Sequence, residues 1–74
     1  MNNKDGYSNE KIVKVIYSAL HIEEVPFKMY MNDLKQTVIE WKTNKVVIDD
    51  TTIWFNGKLQ HSVYNAVNAI KAGK

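Results

Sequence analysis

The side chains of this chain that could do chemistry are few and poorly grouped. His21 precedes the pair Glu23-Glu24, a set that offers an imidazole and two carboxylates to a metal ion. One His beside two acids at a helix end is more simply a solvated link, and no His pair at i, i+4 marks a zinc site. His61 and Ser62 supply a base and a hydroxyl, but sequence neighbours seldom reach the geometry in which one deprotonates the other. Ser62 also has a structural use as a helix cap. Asp49-Asp50 reads as turn chemistry, because Asp side chains bond their own backbone there. Gly-rich phosphate loops and nucleophile elbows are absent from the sequence. The residues therefore predict a non-catalytic protein with no metal, no cofactor and no small-molecule substrate.

Binding is better provided for. All ten basic residues are Lys and none is Arg, at a net charge of +2. Lys supplies a mobile point charge where Arg would grip phosphates or guanine edges bidentately, and so small a net charge attracts a polyanion weakly. The aromatic and apolar candidates for a binding surface are Trp54, Tyr30 and Leu59, with Lys28, Lys42, Lys45 and Lys58 around them. That set fits two partners. A protein, including a second copy of the chain, would use the aromatics as anchors within a mixed-charge rim. A nucleic acid would use the lysines for phosphate and the aromatics for stacking. The weak positive charge and missing Arg favour the protein, and hence a small regulator or inhibitor that occupies a partner's surface.

The elements that must position these residues follow from periodicity. Ser8 offers an N-cap with Glu10 in the first turn, and Ile12, Val13, Ile16, Tyr17 and Leu20 recur at helical spacing, predicting a helix over 9–21. Residues 32–43 admit two readings. As a helix, Asn32 caps a segment with Leu34, Val38 and Trp41 on one face. As strands, Val25, Phe27, Met29 and Met31 alternate with Lys28 and Tyr30, and the β-branched run Thr37, Val38, Ile39 leads into Trp41.

Register favours the strands. A two-residue turn at Thr43-Asn44 sets Trp41 opposite Val46 and Ile39 opposite Ile48; another at Asp50-Thr51 sets Ile48 opposite Ile53 and Val46 opposite Phe55. Both turns place Ile39, Trp41, Val46, Ile48, Ile53 and Phe55 on one face, an agreement that a one-residue slip destroys. Asn56-Gly57 is the strongest local signal, since both residues tolerate the positive φ of a type I′ turn. It folds Thr52 to Phe55 onto Lys58 to Gln60 and puts Trp54 opposite Leu59. The outer face then carries Lys28, Tyr30, Val38, Glu40, Lys42, Val47, Trp54 and Leu59. Ser62 caps a last helix whose stripe is Val63, Ala66, Val67 and Ile70.

The predicted architecture is two-layer α+β: an N-terminal helix, an antiparallel meander of three to five short strands, and a C-terminal helix. Residues 1–7 read as a flexible arm and 8–74 as a single domain. The order strand, Asn56-Gly57, strand, Ser62 and a helix with Ala66 and Ala69 resembles small β-sheet DNA-reading modules. Those modules read bases with sheet arginines that this chain lacks, so the resemblance assigns no family.

Length and composition set the outer bounds. A chain of 74 residues without Cys must rely on an apolar core, unaided by disulfides or thiolate zinc. No apolar run is long enough to span a membrane or to serve as a signal peptide near the first Met, which predicts a cytoplasmic protein. Eight Asn and seven Ile beside the missing Arg indicate A/T-rich codons, as in a low-GC bacterium, its phages or its mobile elements.

Overall fold

The computed structural model describes residues 6–73. Its elements follow the order α1 (Asn9–Ile22), β1 (Lys28–Met31), β2 (Thr37–Trp41), β3 (Asn44–Asp49), β4 (Thr52–Phe55), β5 (Lys58–Gln60) and α2 (Val63–Gly73). The five strands form one antiparallel sheet whose spatial order is the chain order. The α+β architecture read from the sequence is therefore the observed one. Of the expected N-terminal arm, residues 1–5 lie outside the described residues; Tyr7 packs against the core, with the Lys11 ammonium 5.6 Å from its ring centre.

Each helix begins on a serine. The Ser8 hydroxyl accepts from the Lys11 amide at 3.4 Å and starts α1, and the buried Ser62 accepts from the Asn65 amide at 3.0 Å to start α2. Ile12, Ile16 and Leu20 from α1 and Val63, Ala66 and Ile70 from α2 close over Ile39, Trp41, Val46, Ile48 and Ile53. The core thus lies between the helices and one face of the sheet. Tyr17, expected in the apolar stripe, flanks it instead: it is exposed and meets Phe27 edge-on at 5.3 Å.

The ambiguous middle is strand. Asn32 does not cap a helix; its Oδ1 accepts from the amides of Leu34 and Gln36, each at 3.0 Å, and builds the loop between β1 and β2. The next turn corrects one expectation. It is Lys42-Thr43, not Thr43-Asn44, so Trp41 pairs with Asn44, Ile39 with Val46 and Thr37 with Ile48. Lys42 takes the left-handed φ of 52°, while Asn44 stays in the strand, where its Oδ1 accepts from Asn56 Nδ2 at 3.2 Å. The error is two residues, and an even shift returns every side chain to the same face. The Asp50-Thr51 turn and the register beyond it are as expected, as is the Asn56-Gly57 turn with φ of 51° and 84°.

Candidate interaction surface on the open sheet face

α1 lies mainly over β3 and α2 over β4 and β5, all on the side of Ile39, Val46 and Ile53. The other face carries the alternate residues of every strand. Cross-strand pairing joins Tyr30 to Val38, Val38 to Val47, Val47 to Trp54 and Trp54 to Leu59. One unbroken row of apolar and aromatic side chains therefore crosses all five strands. Directly opposed side chains stand about 5 Å apart at Cβ, so each member shields the next. The effect is largest on β2, between Tyr30 and Val47: Val38 is 1% exposed although it belongs to this face and not to the main core. At the ends Tyr30 and Leu59 remain 44% and 48% exposed, and Val47 and Trp54 between them are half-buried. Trp54 is thus neither a core residue nor fully exposed; it packs sideways along the row.

Charges flank the row on both sides. Lys28 pairs with Glu40 and Glu40 with Lys45, which gives a plus, minus, plus line beside the apolar row. On the far side of the row, Asp49 of β3 is exposed and its Oδ2 accepts from Gln36 Nε2 at 3.2 Å. Tyr30 leans across to Glu40 and donates its phenolic hydrogen to Oε2 at 2.5 Å. That hydrogen bond raises the Tyr30 hydroxyl above its ordinary range, with desolvation and the Glu40 charge acting in the same direction.

The sequence-predicted site residues are only partly gathered here. Tyr30, Trp54, Leu59, Lys28 and Lys45 share the open face. Lys42 sits in the β2–β3 turn at its margin. Lys58 pairs with Phe55 and so takes the register of the helix side, away from Trp54. The ring of four lysines around the aromatics is accordingly broken, and Glu40 stands between two that remain.

Two surface features on the helix side were missed. β1 extends beyond the cover of α1, so Met29 and Met31 are 46% and 63% exposed despite having the register of the core. Their alternation was legible, but not how far the helix would reach. A groove between α1 and α2 has Val15, Ala19 and Val67 along it and Lys11, Lys14 and Lys71 at its rim. Among the described residues no group of three or more His, Cys, Asp or Glu could hold a metal ion; His21 stacks on Tyr17 at 6.3 Å. Nor, among them, is any helix long and apolar enough to cross a membrane.

No family model, curated protein or solved structure matches this chain.

Proposed function

We propose that this is a small non-catalytic regulatory or inhibitory protein that works by docking a protein partner on its open sheet face. The observation that carries the reading is the cross-strand row Tyr30, Val38, Val47, Trp54, Leu59 on the face opposite the helices. Aromatic and aliphatic anchors in a line, bordered by charges of both signs, have the composition of an interface centre with a polar rim. The alternation Lys28, Glu40, Lys45 weighs against a polyanion, which is met by like charges tracking its backbone. The cytoplasm is the compartment proposed, on the sequence reading alone.

The test compares the wild-type chain with Val47→Lys and Trp54→Ser as bait in host lysate with and without nuclease treatment. Specific retention of a protein by the wild type, lost in both variants while their circular dichroism is unchanged, supports the reading. Retention that survives both substitutions, or that disappears with nuclease treatment, overturns it in favour of another surface or of nucleic acid.

A further inference from the structure

The charge pattern of the central strand selects a partner for this face. In the sheet order β3 stands in the middle, and its open-face residues are Lys45, Val47 and Asp49. Successive residues on one face of a strand are about 6.7 Å apart, so a positive and a negative side chain flank Val47 symmetrically. We propose, building on the docking face above, that the partner is a second copy of this chain, stacked face to face about a two-fold axis that passes over Val47 and runs across the strands.

That operation reverses the strand direction. It lays each Lys45 over the Asp49 of the other copy, twice per dimer by symmetry. It also keeps β3 over its own counterpart, so the two apolar rows meet at their centres. A two-fold axis parallel to the strands would instead set Lys45 against Lys45. Stacked sheets cross at roughly 30° because each is twisted. Lys45 and Asp49 lie on the central strand close to the axis, where this rotation displaces them least. Asp49 accepts one hydrogen bond from Gln36, and an ionised carboxylate has capacity for more. Dimerisation would also add apolar burial to a chain whose own core is limited by its size.

The test is sedimentation of the full chain from micromolar to millimolar concentration, with circular dichroism on every variant. The wild type should show a reversible monomer–dimer equilibrium. Lys45→Asp and Asp49→Lys should each weaken it roughly tenfold or more, because symmetry converts one substitution into two like-charge contacts. The double variant should recover to within a few-fold of the wild type. A dimer whose affinity is unmoved by the single variants, or not restored by the double, overturns this arrangement. A wild type monomeric at every concentration overturns the second copy as partner. In that case the Val47 and Trp54 amide resonances of labelled chain are followed in nuclease-treated lysate. Selective broadening there retains the docking face with a different protein on it, and unchanged signals remove the docking reading as well.

Discussion

Trp54 faces Val47 across β4 and β3 on the side of the sheet opposite the helices, while its chain neighbour Ile53 faces Ile48 in the core. Two adjacent residues therefore have opposite relations to the fold. Trp54→Ala should cost about 1–2 kcal/mol, the loss of two cross-strand neighbours. Ile53→Ala, at a fully buried site, should cost about 2–5 kcal/mol. Urea denaturation of the monomer measures both; equal costs would mean that Trp54 is covered.

The β4–β5 turn should be more sensitive at Asn56 than at Gly57. A Cβ on Gly57 would meet nothing within 4 Å, so Gly57→Ala carries only the conformational cost of φ +84°, about 1–2 kcal/mol. Asn56 is also left-handed, and its Oδ1 accepts from the Lys45 amide at 2.8 Å while Nδ2 donates to Asn44. Asn56→Ala should cost about 2–3 kcal/mol. The same variant should selectively accelerate hydrogen exchange at the Lys45 amide.

Glu40→Gln should lower the titration of one tyrosine. In the wild type the Tyr30 phenol is held above the ordinary tyrosine range by its bond to Glu40. A pKa raised in the folded state gives stability that is fully present below the unfolded value and lost as pH rises through the folded one. The contact thus persists across neutral pH and fails only in alkali. Ultraviolet titration should show the Tyr30 phenol ionising earlier in the variant than in the wild type.

Trp41 gives a fourth test. It is buried in the core beside Phe55, with ring centres 6.1 Å apart, and its Nε1 has no hydrogen-bond partner among the described residues. Trp41→Phe removes an unsatisfied donor that costs about 1–3 kcal/mol but loses packing volume. The two effects oppose, and the net change should stay within about 1 kcal/mol. Trp41→Ala has no such offset and should cost about 3–5 kcal/mol. Thermal denaturation of both variants measures the difference.

What could be read from the sequence was whatever local chemistry decides. Asn56-Gly57 announced its turn through conformational tolerance, and Ser8 and Ser62 announced helix starts through their hydroxyls. The faces of β2, β3 and β4 emerged from period-two patterning even though the Lys42-Thr43 turn was misplaced, because parity survives an even shift. The misplacement has a nonlocal cause: Asn44 is tied to Asn56 on the neighbouring hairpin. The exposure of Met29 and the sidelining of Tyr17 are nonlocal as well. Both depend on where α1 comes to rest on the sheet, which no pattern within either segment encodes. For the binding surface, the sequence supplied its aromatic members, and the same Asn56-Gly57 register that sets Trp54 opposite Leu59 sends Lys58 to the helix side with Phe55.

The sheet's spatial order repeats the chain order, and this has a kinetic meaning. Every strand pairs with its immediate predecessor or successor through a short connection. No strand must wait for a distant segment, so little loop-closure entropy opposes the early steps. β-rich domains usually fold slowly because their pairings are remote. Here hairpins can form in microseconds and zip onto one another. The long-range events left are the docking of α1 on β3 and of α2 against α1, which makes helix closure the natural last step.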